Sequence, residues 1–258
     1  MKPETEGIER LALKLAREAG AAQLEFFRKP HLKVSTKLNE SDIVTAADKA
    51  SEEIIIRGIK AAFPDHAILS EESGAGGGCA SPWRWVIDPL DGTTNFSAGL
   101  PAFAVSIGVE YEGRTVVGVV HAPYLGETFT AVAGGGAKLN GEPIHCRRNK
   151  KPERAVVATG FPVDKNVNPD NNLDNLARVL PHVRGIRRLG SAALDLSYVG
   201  AGFLDAYWEL NLHEWDVSAG LLILAESGGR HRFFRDDRNI CVVAASPDIF
   251  DQIAPMIR

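Results

Sequence analysis

The chain has 258 residues, 45% of them apolar and 24% charged, with a formal net charge of −4. That length suits one large α/β domain or two closely packed halves, and the acidic balance argues against nucleic acid as the main ligand. No apolar run approaches the roughly 18 residues that a membrane-spanning helix needs, and the three scattered cysteines (Cys79, Cys146, Cys241) form neither a C-x-x-C pair nor a disulfide framework. With a polar, acidic start over Met1–Arg10, unlike a signal peptide, a reducing cytoplasmic location is expected.

Ile8, Leu11, Ala12, Leu15, Ala19 and Ala22 recur at helical spacing and predict a first helix that ends near Phe26–Phe27, before Pro30. Lys33–Ser41 is polar and reads as a loop. Thr45-Ala-Ala-Asp48 is a capping box, and the stripe Ile55, Ile56, Ile59 and Ala62 behind it predicts a second helix stopping at Phe63-Pro64. Ala67–Ser70 is a short strand that delivers Glu71 and Glu72 at its carboxyl end, and the glycines of Gly74–Gly78 predict irregular chain. A strand at Trp85–Ile87 leads into Asp88-Pro-Leu-Asp-Gly-Thr-Thr-Asn-Phe96. Ala104–Tyr111 and Thr115–His121 form a hairpin across Glu112-Gly113-Arg114, and Glu127–Ala133 with the Asn140-Gly141 turn extends an antiparallel sheet.

A strand at Arg154–Thr159 opens the second half. Helices near Leu173–Leu180, Ser191–Gly200 and Trp215–Ser227 then alternate with strands at Gly185–Leu189 and Ala206–Glu209. Strands near Arg230–Phe234 and Ile240–Ala244 precede a last helix from Pro247. There are no repeats, low-complexity tracts or linkers. The expected organisation is a single domain over 1–258, with an antiparallel α+β half (1–150) followed by an α/β half (151–258).

Asp88-Pro-Leu-Asp91-Gly-Thr-Thr carries the most chemistry. Two carboxylates stand three residues apart on a turn that proline stiffens and glycine lets the backbone approach closely. Such carboxylates repel unless a cation lies between them, and hard oxygen donors on a rigid turn suit Mg²⁺. The amides after Gly92 can open a helical turn and take an anion. Asp-Pro and Asp-Gly are also ordinary turn signals, so this segment alone supports both readings. The pair Glu71-Glu72 alone reads as solvated, and Asp216, within Leu212-His-Glu-Trp-Asp216, alone reads as a helix cap.

Taken together, Glu71-Glu72-Ser73, Trp85-Val-Ile-Asp-Pro-Leu-Asp-Gly-Thr-Thr-Asn-Phe96 and Trp215-Asp-Val-Ser-Ala-Gly220 running into Glu226-Ser-Gly-Gly229 resemble the inositol monophosphatase family of lithium-sensitive, magnesium-dependent phosphatases. Asp42-Ile-Val-Thr-Ala-Ala-Asp48 and Arg188-Leu-Gly-Ser-Ala-Ala-Leu-Asp195 support the match, which runs in the family's order over nearly the whole chain. The resemblance implies the layered αβαβα sandwich shared by inositol monophosphatases and fructose-1,6-bisphosphatases. It implies a first Mg²⁺ on Glu71, Asp88 and the Leu90 carbonyl, a second on Asp88, Asp91 and Asp216, and, in the family, a third and weaker one near Glu71. It places the phosphate on the amides of Gly92 and Thr93, and the alcohol portion beside Gly190, Ser191 and Ala192. Glu209 accepts from substrate hydroxyls, Asp216 borders the substrate, and Asp48 orients Thr93, whose hydroxyl contacts the attacking water. Glu71 and Thr93 would aim that water. Lys37 matches a lysine on the family's flexible loop; Glu72 receives no role. The family is commonly homodimeric, so a homodimer acting on a small phosphorylated polyol or sugar is expected.

Fructose-1,6-bisphosphatase and histidinol phosphatase are alternatives within the same chemistry. In a different class, bacterial relatives act as partners of the transcription machinery. His213-Glu214 lacks the second histidine of a zinc-protease motif, since position 217 is Val. The glycines of Gly74–Gly78 and Gly134–Gly136 lack both the P-loop Gly-Lys-Ser/Thr and the G-x-G-x-x-G spacing. The basic run Arg147, Arg148, Lys150, Lys151 reads as a solvated loop. One departure from the family is the short, charged turn His231–Arg238, where relatives usually carry a longer, glycine-containing one.

Overall fold

The computed structural model describes residues 3–29, 34–36, 43–77 and 81–258. In chain order these form α1 (Pro3–Phe26), β1 (Val34–Thr36), β2 (Ile43–Thr45), α2 (Ala46–Ala62), β3 (Ala67–Ser70), β4 (Gly74–Gly77), β5 (Trp83–Asp91), α3 (Thr93–Ser97), β6 (Ala104–Tyr111), β7 (Arg114–Ala122), β8 (Glu127–Val132), β9 (Gly136–Leu139) and β10 (Glu142–Pro143). The second half contributes β11 (Val156–Thr159), α4 (Leu173–Val179), β12 (Gly185–Arg187), α5 (Ala192–Gly200), β13 (Ala206–Leu212), α6 (Glu214–Glu226), β14 (Arg230–Arg235), β15 (Ile240–Ala245) and α7 (Phe250–Ile253). None of the described helices is long and apolar enough to cross a membrane.

Eight strands form one sheet in the order β10-β9-β8-β7-β6-β5-β3-β4, and five form another in the order β12-β11-β13-β15-β14. Period-two alternation sends each strand's side chains to two different cores. On β7, Val117 and Val119 pack with α1 and α2 residues such as Ile8, Leu15 and Ile55, whereas Val120 and Ala122 pack with Ala219 and Ile223 of α6. On β15, Val242 and Ala244 face Leu196 of α5 and Leu224 of α6, whereas Val243 and Ala245 face Val179 of α4 and Ile253 of α7. The layers are therefore α1/α2, the large sheet, α5/α6, the smaller sheet, and α4/α7: the αβαβα sandwich expected.

Two glycines let the middle layer close. Gly108 and Gly118 are cross-strand neighbours on β6 and β7. A Cβ on Gly118 would stand 2.8 Å from the Ala219 carbonyl oxygen, and one on Gly108 would stand 2.2 Å from Ser218 Oγ. The absent side chains seat the first turns of α6 against the sheet.

Several local readings need correction. Part of the expected Lys33–Ser41 loop is strand: Val34–Thr36 pairs antiparallel with Ile43–Thr45, a β-branched ladder that the polar composition of the stretch concealed. Positions 33 and 37–41 lie outside the described residues, as does Lys37. Gly74–Gly77 is not irregular but an edge strand on β3, in register Ile68↔Gly76 and Ser70↔Gly74, because ladder hydrogen bonds need no side chain. β5 runs on past Pro89 to Asp91 through a bulge, since Asp88 pairs with Ser106 and Asp91 with Ala104. The second half is a mixed sheet: β12, β11 and β13 run parallel, while β15 and β14 pair antiparallel. The β6–β7 turn is the two residues Glu112 and Gly113, both at positive φ (50° and 75°), as the strand twist favours.

Candidate active site

The acidic residues reach one place by different routes. Glu71 follows β3, and its amide donates to the Ile87 carbonyl at 3.1 Å, which ties it to β5. The β5 bulge separates Asp88 from Asp91 and re-aims both, as bulges do next to functional sites. Asp216 sits in the first turn of α6, where its Oδ2 accepts from the His213 amide at 2.6 Å. Asp88 Oδ1 accepts from the Leu90 amide at 3.0 Å. Asp91 Oδ2 accepts from the Ser191 hydroxyl at 2.6 Å and the Ala193 amide at 2.8 Å.

Electrostatics reports their convergence. Burial, then the charges of Glu71, Asp91 and Asp216, holds the Asp88 carboxyl well above the ordinary carboxylate range. Burial raises Asp91 to about 6, against the pull of Ser191 and Ala193. Asp216 is pushed up by burial and then by Asp91. Among the described residues, no group of three or more His, Cys, Asp or Glu side chains stands ready to hold an ion. Asp88, Asp91 and Asp216 each accept a backbone or hydroxyl donor, while Asp88 also meets Glu71 directly and feels the charges of Asp91 and Asp216. The donor set nonetheless fits a hard divalent cation. It consists of carboxylates on stiff elements, mutually destabilised by like charge, which a cation would relieve.

Beside them, Thr93 Oγ1 lies 3.0 Å from Asp48 Oδ1 and 3.0 Å from the Leu90 carbonyl oxygen. Asp48 Oδ2 accepts from the Thr45 amide at 2.8 Å and the Thr45 hydroxyl at 2.5 Å, so the capping box of α2 also positions Thr93. Burial raises the Asp48 carboxyl above its ordinary value, partly offset by its Thr45 donors. Gly92 caps α3 at φ 93°, and a Cβ there would stand 2.8 Å from the Ala102 carbonyl oxygen. The Gly190 carbonyl is also close, at 3.2 Å. Only glycine fits this left-handed, crowded position.

Glu71, Glu209 and Asp216 border a cleft of about 420 Å³, lined also by Asn211, His213, Trp215, Phe161, Pro162 and Val163, whereas Gly190, Ser191 and Ala192 are not part of its lining. Glu209 is half-buried; its Oε2 accepts from the Tyr207 hydroxyl at 2.6 Å, and desolvation lifts its carboxyl to about 7. Ser191 turns its hydroxyl onto Asp91 and caps α5, accepting from the Leu194 amide at 3.4 Å.

Several contributors received no role from the motifs, although Asn95 lies within one of them. Gln23 of α1 donates to the Pro89 carbonyl at 2.7 Å, bracing the turn between the two aspartates. Asn95 donates to the carbonyls of Ala102 (2.7 Å) and Leu189 (2.6 Å), joining the β5 turn to the Gly190 segment. Glu52 Oε1 accepts from the Ser70 hydroxyl (2.5 Å), the Ser73 amide (3.0 Å) and the Ser73 hydroxyl (3.0 Å), bracketing Glu71 on both sides. Of these, only Glu52 was within reach of sequence spacing, since it lies four residues after Asp48 on one helix.

Comparison with known proteins identifies the family. The model of the inositol monophosphatase family matches residues 4–248. The chain is 41% identical over 252 residues to "Nus factor SuhB" of Pasteurella multocida, covering 96% of this chain and 94% of that protein. It is 42% identical over 229 residues to "Phosphatase IMPL1, chloroplastic" of Arabidopsis thaliana, covering 83% of this chain and 62% of that one. Among solved structures, the inositol monophosphatase of Anabaena superposes with a TM-score of 0.87 at 36% identity, covering 98% of this chain and 96% of that one.

Proposed function

Because the chain belongs to the inositol monophosphatase family, we propose that it is a magnesium-dependent phosphomonoesterase acting on a small phosphorylated polyol or sugar. The observation that supports this most is the set of mutually repelling carboxyls of buried Asp88 and Asp91 and half-buried Asp216, beside Glu71. Glu71, Asp88 and the Leu90 carbonyl would hold one Mg²⁺, and Asp88, Asp91 and Asp216 another. When bound, such ions supply charge neutralisation of the phosphoryl group and activation of water.

Phosphoryl transfer leaves a protein little covalent work, so the chain's own residues mainly position and exclude. The amides of Gly92 and Thr93, at the start of α3, face the phosphate oxygens. Asp48 fixes the Thr93 hydroxyl, which in turn orients the attacking water. Ser191 and Ala193 lock the rotamer of Asp91, and Glu209 takes hydrogen bonds from the hydroxyls of the alcohol portion. Phe161, Pro162, Val163 and Trp215 keep bulk water from that side of the cleft.

The test is phosphate release from inositol 1-phosphate, with fructose 1,6-bisphosphate and histidinol phosphate in parallel. Turnover that needs Mg²⁺ and stops with a chelator is expected; no turnover of any of these esters at saturating Mg²⁺ would refute the reading. A second reading comes from a relative's name, Nus factor. A binding role would persist in a pull-down with Asp91→Asn and without metal.

A further inference from the structure

The charged segment His231–Arg238, which is divided between the end of β14 and the turn leading to β15, reaches the substrate cleft through a loop. Arg238 Nη2 donates to both carboxylate oxygens of Asp164, at 3.0 and 3.1 Å. Its Nη1 donates to the Asp170 carbonyl at 2.7 Å and to Asp170 Oδ2 at 3.0 Å. Arg235 Nη1 donates to the same Asp170 Oδ2 at 2.6 Å, while its Nε and Nη2 grip Asp237 at 2.8 and 2.6 Å. The Arg238 side chain is 11% exposed and its two carboxylate partners 34% each, so the clamp is forked and half-sheltered.

Asp164 directly follows Phe161, Pro162 and Val163, the apolar wall of the cleft. The turn is internally bonded: the Lys165 amide donates to the Pro162 carbonyl (3.1 Å) and the Val167 and Asn168 amides donate to the Asp164 carbonyl (3.0 and 2.9 Å). The root of the loop is tied separately. Asn172 Nδ2 donates to the Gly160 carbonyl at 2.6 Å, and Trp208 Nε1 donates to Asn172 Oδ1 at 2.9 Å. The tip is held by the arginines together with Asn168, whose Nδ2 donates to Asp164 Oδ2 at 3.0 Å.

We propose that Arg238, assisted by Arg235, is a specificity-determining positioning residue: by gripping Asp164 and Asp170 it sets the Phe161–Val163 wall against the cleft and so selects for a ring-sized alcohol portion opposite Glu209. The proposal rests on the phosphomonoesterase reading above. The wall meets the carbon face of a ring polyol, and an alcohol too small to reach it gains nothing from it.

Arg238→Met, Arg238→Lys and Asp164→Asn are compared with wild type on inositol 1-phosphate and on the smaller glycerol 2-phosphate, and by trypsin cleavage after Lys165. Arg238→Met should raise KM for inositol 1-phosphate about tenfold with kcat within about twofold, as expected when a contact shared by ground and transition states is lost. KM for glycerol 2-phosphate should stay at the wild-type value, and cleavage after Lys165 should quicken. Arg238→Lys, which keeps the charge but loses the fork, should fall between. Should Arg238→Met not fold, Asp164→Asn reads the same clamp from its other side. Unchanged KM for inositol 1-phosphate, equal losses on both esters, or unchanged cleavage after Lys165 would overturn the proposal. A wild-type protein inactive on both esters and also on fructose 1,6-bisphosphate and histidinol phosphate would instead sink the phosphomonoesterase reading, whereas inactivity on inositol 1-phosphate alone, or an active wild type with indifferent variants, sinks the clamp alone.

Discussion

Asp48 and Glu52 stand four residues apart on one face of α2, and each holds a different part of the site. Asp48 fixes Thr93, and Glu52 brackets the turn that carries Glu71. Removing a metal-facing charge and removing its support should have different consequences. Asp91→Asn deletes a carboxylate while leaving the Ser191 and Ala193 donors an amide oxygen, so it should abolish turnover, by about 10³-fold or more given the charge stabilisation at stake. Circular dichroism should stay unchanged, and near-normal turnover at saturating Mg²⁺ would contradict the assignment. Glu52→Ala loosens Glu71 without touching its charge. It should weaken Mn²⁺ or Mg²⁺ binding by calorimetry on the order of tenfold, the effect typical of losing an outer partner of a metal ligand. Equal affinity in variant and wild type would mean that the Ser70–Ser73 turn holds its shape unaided.

At the scale of elements, two bulges and two glycines do the positioning. The bulge in β5 parts Asp88 from Asp91, and another in β13, between Glu209 and Leu212, turns Asn211 and Leu212 toward the cleft. Gly108 and Gly118 bring α6 onto the sheet, which sets the depth of Asp216. Gly118→Val should force the Ala219 backbone away and cost about 1–3 kcal/mol by overpacking. That corresponds to a fall in Tm of several degrees for a chain of this size, with weaker metal binding alongside. An unchanged Tm would show that the helix yields without strain.

For the whole molecule, the raised carboxyls tie stability to pH and to metal. A carboxyl whose folded pKa is raised stabilises the fold while it is protonated. That contribution is complete below the unfolded value and is lost as pH rises through the folded one. For Asp91 the window runs from 3.8 to about 6, and for Glu209 from 4.5 to about 7. Metal-free protein should therefore lose thermal stability as pH climbs from about 4 to 7, while the Tm gained on adding Mg²⁺ should grow over the same range. A Mg²⁺ increment that does not change with pH would count against a cation among these carboxyls. The family, the capping box that doubles as the Thr93 support, and the main helices and hairpins were legible in the sequence, because motif order, 3.6-residue periodicity and turn chemistry are local properties. The strand at Gly74–Gly77, the bulges, the bracing by Gln23, Asn95 and Glu52, and the arginine clamp on the cleft wall were not. The glycine run pairs with β3 just upstream and was hidden by its lack of side chains, whereas the bulges and bracing contacts depend on partners far along the chain, so only the closing of the layers decides where a strand slips and which carbonyl or carboxylate a side chain finds.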